Sequence, residues 1–168
     1  MKLAVIYDSK TGNTKQAGEW IAAGMNSVEG VEAKAFSIGE VDVDFAKEAK
    51  GVVIGSPSYA ATMTPAMHAW LMGESGKLKL AGKLAGAFAT EQYTHGGAQL
   101  VVQSIMTMEL VFGMLYYSSG SECGRPFIHI GPIGVNSNME PHNSMEYYQK
   151  YFELYGQRFA SKAMDLWG

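Results

Sequence analysis

Three short runs along the chain are apolar without alternation: Leu3-Ala4-Val5-Ile6-Tyr7, Gly51-Val52-Val53-Ile54-Gly55 and Leu84-Ala85-Gly86-Ala87-Phe88-Ala89. Such runs predict strands buried on both faces of a parallel sheet. Each is followed by a turn rich in Gly, Ser or Thr and then by a helical pattern. Between the first two lies Val31-Glu32-Ala33-Lys34-Ala35-Phe36, which alternates and so predicts an edge strand with one polar face. Met114-Leu115-Tyr116-Tyr117 predicts a fifth strand. Phe127-Ile128-His129-Ile130 with Gly131-Pro132-Ile133-Gly134 predicts a further strand and turn at the same rim.

The helices are also legible. After Asn13-Thr14, the residues Ala17, Trp20, Ile21, Gly24 and Val28 recur on one stripe. Thr64-Pro65 reads as an N-cap with Pro in the first helical position, opening a helix through Met72. Ala98 to Phe112 is apolar nearly all round, so this helix is expected to be covered on more than one side, by its own domain or by a second subunit. Asn143 as cap and Glu146 three residues later open the last helix, which runs to about Met164 with Tyr148, Tyr151, Phe152, Tyr155 and Phe159 facing the core.

Strand-helix alternation at these spacings predicts an α/β doubly wound, five-stranded parallel sheet of order 2-1-3-4-5 with helices on both faces, spanning residues 1–168 as one domain. In such sheets a ligand sits beyond the carboxyl ends of the strands where the winding reverses, so the loops after the first, third and fourth strands become the candidates. Composition narrows the functions. Net charge is −3, with 13 Lys+Arg against 16 Asp+Glu and no run of either sign, which argues against a nucleic-acid surface and against strongly acidic docking. Cys123 is the only cysteine, so no intrachain disulfide can form and a cytoplasmic setting is expected. No apolar stretch approaches the roughly 18 residues of a membrane span, and the apolar start is too short for a signal peptide. No grouping of His, Cys and acidic residues has metal-ligand spacing, so no metal is expected.

The first loop, Ser9-Lys10-Thr11-Gly12-Asn13-Thr14, places hydroxyl and amide side chains around one glycine at a helix start. That chemistry cradles a phosphate with neutral donors and a helix dipole. The same residues also suit an ordinary polar strand-to-helix turn. The Walker and three-glycine dinucleotide patterns are absent, which favours a single terminal phosphate over a pyrophosphate. Ser-x-Thr-Gly-Asn-Thr after the first strand resembles the phosphate loop of the flavodoxin superfamily. The resemblance implies a flavodoxin-like fold and FMN, its phosphate held by Ser9, Thr11, Asn13, Thr14 and the backbone of Gly12, with Lys10 pointing outward.

The second loop, Gly55-Ser56-Pro57-Ser58-Tyr59-Ala60-Ala61-Thr62-Met63, is similar to that of the tryptophan-repressor-binding-protein-like NAD(P)H:quinone reductases, a flavodoxin-fold branch. Gly55, Pro57 and Met63 match; Ser56, Ser58 and Thr62 are polar substitutes. The match implies flavin contacts from Pro57 through Thr62, with Tyr59 beside the ring. Where related loops carry a glycine whose peptide can flip to favour one-electron chemistry, this chain has Ala61, which tolerates a positive φ poorly. The third loop, Thr90-Glu91-Gln92-Tyr93-Thr94-His95-Gly96-Gly97, resembles the branch's Gly-Gly-terminated loop. It implies flavin contacts from Thr90 through Gly96, with Tyr93 stacking. His95 is the candidate proton donor, histidine being the side chain suited to that role, and the alternative is a loop imidazole that holds backbone groups. The branch's histidine before Gly113-Met114 is replaced here by Phe112, so its role does not carry over.

His129 alternates with apolar residues and is expected in the core or an interface, while His68 and His142 carry no partner pattern. The resemblance thus implies first an FMN oxidoreductase passing electrons from NAD(P)H to a quinone or similar small acceptor. The alternative is a flavodoxin-type carrier between partner proteins, which usually docks through a more acidic surface. A signalling receiver on the same fold would need acids that Asp8 alone does not supply. The over-apolar helix, with Met106 and Met108, leads to the expectation of a homo-oligomer, dimer or tetramer.

Overall fold

The structure, a computed structural model, describes residues 1–137 and 143–168. Among these residues six parallel strands form one sheet: β1 (Lys2–Tyr7), β2 (Glu32–Ser37), β3 (Gly51–Pro57), β4 (Leu84–Glu91), β5 (Leu115–Tyr116) and β6 (Ile133–Val135). The order β2-β1-β3-β4-β5 follows from the buried and alternating runs, with β2 at the edge. Helices α1 (Asn13–Asn26) and α5 (Met145–Trp167) cover one face, and α2 (Val43–Glu48), α3 (Pro65–Met72) and α4 (Ala98–Val111) the other.

The unbroken apolar runs are explained by this double cover. Along β1, Leu3, Val5 and Tyr7 join the core beneath α1 and α5, while Ala4 and Ile6 join the core beneath α2, α3 and α4. Helices α1 and α5 meet almost backbone to backbone. A Cβ on Gly24 would lie 1.9 Å from the Glu153 carbonyl oxygen, and one on Gly156 would lie 2.1 Å from that of Ile21. Phe152, Tyr155 and Phe159 are fully buried beside this seam, whereas Tyr148 and Tyr151 are half-buried.

Two expectations need correction, and two short elements add to those expected. The expected fifth strand is present as β5, and a short sixth strand, β6, adds to it. β5 pairs with Leu84 and Ala85 at the start of β4, β6 pairs with Ala89 to Glu91 at its end, and residues 117–132 pass between them. Phe127–Ile130 is not a strand; the pairing starts after Gly131-Pro132, and His129 is exposed beside the Phe127 ring at 6.3 Å. The last helix is entered through Ser144, not Asn143, and runs on to Trp167. Helix α2, six residues capped by Asp42 Oδ1 accepting from the Phe45 amide at 3.0 Å, was not expected, being too short to show a periodicity. His142 lies outside the described residues. On α4, Leu100, Leu110 and Val111 are exposed, and the buried side carries Glu109. Among the described residues no helix is long and apolar enough to cross a membrane.

Candidate functional site

The carboxyl ends of β1, β3, β4 and β6 open onto one cavity of about 920 Å³. Its walls are Lys10, Thr11, Asn13 and Thr14 from the first loop, Pro57, Ser58, Tyr59, Ala60 and Ala61 from the second, and Thr90, Glu91, Gln92, Tyr93, His95 and Gly96 from the third. Asn136 and Ser137, just beyond β6, complete it.

The first loop rises from β1 and turns into α1 through Gly12, whose φ of 97° is the left-handed region a glycine enters freely. The Gly12 amide donates to Ser9 Oγ at 3.2 Å, so Ser9 closes the turn rather than lining the cavity. The start of α1 differs electrostatically from those of the other helices. It has no side-chain cap and no acid in its first turn. By contrast, α2 is capped by Asp42 and α3 by Thr64 Oγ1, which accepts from the Met67 amide at 3.1 Å. Helix α4 is capped by Glu91 Oε2, which accepts from the Ala98 amide at 3.0 Å, and α5 carries Glu146 in its first turn. The positive end of α1 thus faces the cavity with its amides uncapped, beside Thr11 and the buried Thr14.

Hydrogen bonds lock the loops together. Thr14 Oγ1 and Thr90 Oγ1 are 2.7 Å apart, joining the first loop to the third. The Ser58 hydroxyl donates to the Gly96 carbonyl at 2.7 Å and the Ser58 amide to that of Thr90 at 2.8 Å, joining the second to the third. Asn136 Nδ2 donates to Asn13 Oδ1 at 3.0 Å, tying the end of β6 to the first loop. Beneath the floor, the Thr64 hydroxyl donates to the buried Asp8 carboxylate at 2.5 Å, and the Thr64 amide donates to Ser56 Oγ at 3.0 Å.

Tyr59 and Thr62 exchange backbone hydrogen bonds of 2.9 and 3.0 Å, making a two-residue hairpin with Ala60 and Ala61 at its tip. Both alanines are left-handed, with φ of 50° and 61°. Alanine adopts this region at a cost of about 1–2 kcal/mol per residue. The third loop makes room for them, since a Cβ on Gly97 would lie 2.4 Å from the Ala61 methyl. Tyr59 and Tyr93 are 45% and 49% exposed, so two aromatic rings stand at the mouth of the cavity.

Of the predicted site residues, Ser9, Gly12, Thr62 and Thr94 stand behind the cavity walls rather than in them. Thr94 Oγ1 accepts from Asn143 Nδ2 at 3.1 Å, which explains what Asn143 does in place of capping α5. Lys10, expected to point outward, is exposed and also borders the cavity. Glu91 borders it too, though its carboxylate is engaged with α4. His95 is exposed on the wall. Asn136 and Ser137 escaped the sequence reading because the strand that delivers them is three residues long. The signal available was Gly131-Pro132, a break after which pairing resumes. Among the described residues no group of three or more His, Cys, Asp or Glu is placed to hold a metal ion.

A doubly wound parallel sheet with a polar loop turning into an uncapped α1 and aromatic rings at the mouth of its cavity defines the flavodoxin-like class. No protein-family model matches the chain. It is 31% identical over 166 residues to a flavodoxin of Clostridium saccharobutylicum, covering 99% of each chain. It is 33% identical over 135 residues to a flavodoxin of Aquifex aeolicus, covering 79% of this chain and 73% of that one. Among solved structures, a flavodoxin from the domain Archaea superposes with a TM-score of 0.74 at 22% identity, over 98% of this chain and 99% of that one. The chain belongs to the flavodoxin family.

The reductase branch is present as a weaker likeness. A WrbA-like flavodoxin of Agrobacterium tumefaciens superposes with a TM-score of 0.73 at 20% identity, over 98% of both chains. An NAD(P)H dehydrogenase (quinone) of Chromohalobacter salexigens is 25% identical over 142 residues, 67% of this chain and 68% of that one. These findings reverse the order of the two functions expected from the sequence, putting the electron carrier ahead of the quinone reductase.

Proposed function

We propose that this chain is a flavodoxin that binds FMN in the cavity described above and carries electrons between redox partner proteins. The observation that carries the proposal is the uncapped start of α1 facing that cavity, in a chain matched end to end by a flavodoxin. The cavity volume of about 920 Å³ lies within the range of roughly 300–1,000 Å³ usual for cofactor sites. The phosphate falls to Thr11, Asn13, Thr14 and the α1 amides, while Gly12 supplies the turn. The flat ring falls between the second and third loops, flanked by Tyr59 and Tyr93, with Pro57, Ser58, Ala60 and Ala61 on one side and Thr90, Gln92 and Gly96 on the other. Bound there, FMN supplies reversible acceptance of one or two electrons. The chain holds it, orients it and keeps water from one of its faces. Domain extent 1–168 and a cytoplasmic site of action accompany this reading.

One feature favours the second reading, a reductase that takes hydride from NAD(P)H and passes electrons to a quinone-like acceptor, with His95 as proton donor. The Ala60–Ala61 tip is pinned by the Tyr59–Thr62 bonds, and rotating its peptide while φ of Ala60 stays positive would enter a backbone region essentially confined to glycine.

The test is to saturate the protein with FMN and reduce it anaerobically, first with NADH or NADPH and then photochemically. The carrier predicts slow reaction with nicotinamide and a large fraction of flavin held at the one-electron level. Rapid bleaching by NAD(P)H with no one-electron form establishes the reductase instead. A protein that does not take up FMN refutes both.

A further inference from the structure

A second, smaller cavity of about 210 Å³ lies at the outer side of β6, separate from the first. Phe127 and His129 stand on one wall, Tyr148 and Tyr151 on the other, with Ile128 and Ile133 between them. The Phe127 wall is fixed to α5 by Arg158, whose guanidinium donates to Ser119 Oγ at 3.2 Å, to the Pro126 carbonyl at 3.4 Å and to that of Gly124 at 3.2 Å. The opposite wall is fixed by the Tyr148 hydroxyl, which donates to Asn143 Oδ1 at 3.1 Å. Four aromatic side chains line this slot together with Ile128 and Ile133, and stacking on a flat ring is the interaction such a lining provides.

Each wall also carries a cation. The Arg125 guanidinium lies 5.6 Å from the centre of the Phe127 ring, and Lys150 Nζ lies 5.2 Å from that of Tyr151 and 4.9 Å from that of Tyr147. Neither takes part in an ion pair among the described residues. The nearby acid on α5, Glu146, is turned onto its own helix start, bonded to its own amide and to Ser144. The slot therefore offers aromatic side chains and, over two of its lining rings, two cations without an ion pair among the described residues, the complement of a flat heterocycle bearing phosphate. Ile133 is three residues before Asn136 on the wall of the first cavity, about 10 Å along an extended strand.

We propose that this slot binds the base of an adenosine phosphate, with Arg125 and Lys150 taking its phosphates. The ligand is either a mononucleotide acting on its own or the adenylyl half of a nicotinamide dinucleotide whose other ring reaches the first cavity. The slot shares none of the residues assigned to FMN, so it stands or falls independently of that assignment.

The experiment is amide chemical-shift mapping on FMN-saturated protein titrated with ADP, adenosine and NADH. ADP is expected to give saturable shifts centred on Phe127, His129, Gly131, Ile133 and Tyr151, adenosine to bind about two- to tenfold more weakly, and salt to erase that difference. Lys150→Glu, at an exposed position, should weaken ADP by a similar factor while leaving adenosine and FMN binding unchanged. Extra shifts at Tyr93 and Asn136 with NADH alone identify the dinucleotide; equal patterns identify the mononucleotide. No saturable shift at the slot up to about 10 mM, or shifts confined to the first cavity, overturns the proposal. A protein that fails to bind FMN but still shifts at the slot refutes the FMN assignment and leaves this one standing.

Discussion

Thr14 shows most plainly how one residue serves two tasks. It is buried, its hydroxyl joins the first loop to Thr90, and it sits in the first turn of a helix with no cap of its own. Thr14→Val keeps the shape and removes the oxygen. A hydrogen bond to a charged group contributes about 1.5–3 kcal/mol, so FMN affinity should fall roughly 10- to 100-fold. Riboflavin lacks the phosphate, and its affinity should change less than about threefold. Equal losses for both ligands would place the phosphate elsewhere. Ala61 makes the opposite case, a residue whose backbone is held against its preference. Ala61→Gly should remove about 1–2 kcal/mol of left-handed strain and return about 0.5–1 kcal/mol in unfolded-chain entropy. Thermal melting should therefore rise by roughly 1–4 °C. A fall would mean that the contact between the Ala61 methyl and Gly97 outweighs the strain.

At the scale of elements, what could be read from the chain was whatever repeats. Strands buried on both faces announce themselves by unbroken apolar runs, and β1, β3 and β4 fall where Leu3–Tyr7, Gly51–Gly55 and Leu84–Ala89 put them. The Thr64-Pro65 start of α3 is as local a signal, fulfilled by one side chain and one amide. Elements too short to repeat were harder to place. Helix α2 has six residues and raised no expectation, β6 has three and begins just after the run expected to be a strand, and only β5, two residues long, lies inside its expected run Met114–Tyr117. The first and third loops were legible as polar chemistry at strand ends, but the wall beyond β6 depends on a register with β4 that no local pattern encodes. Asn136 is the residue lost in this way, and it provides a test of the element that delivers it. Its amide orients Asn13, so Asn136→Ala should weaken FMN about two- to tenfold, the worth of one ordinary hydrogen bond. The loss should be absent in an Asn13→Ala background if the two act together. A full loss in that background would show that Asn136 contacts the ligand directly.

For the whole molecule, two buried ionisable groups far from the first cavity set how stability depends on pH. Glu109 is fully buried on α4, and neither carboxyl oxygen has a hydrogen-bond partner among the described residues. Burial holds its carboxyl well above the ordinary carboxylate range. The folded chain keeps this proton while the unfolded chain releases it above about pH 4.5, so stability is greatest below that pH and declines as pH rises. Lys83 behaves conversely. Burial, with a smaller contribution from Lys50, lowers its pKa from 10.5 to about 8. Its amine donates to the Ala46 and Lys47 carbonyls at 2.8 and 2.7 Å, bonds that a neutral amine can still make. Between about pH 8 and 10.5 the unfolded chain binds the extra proton, so stability rises with pH there. Together these two groups contribute a minimum across neutral pH. Glu109→Gln should raise stability, and so the melting temperature, at pH 7 while changing it almost not at all at pH 4. Lys83→Met should flatten the rise above pH 8 without affecting the acid side. Melting curves of the three proteins between pH 4 and 10 measure both effects, and a gain for Glu109→Gln that persists unchanged at pH 4 would mean that the carboxyl is not buried as a proton-holding acid.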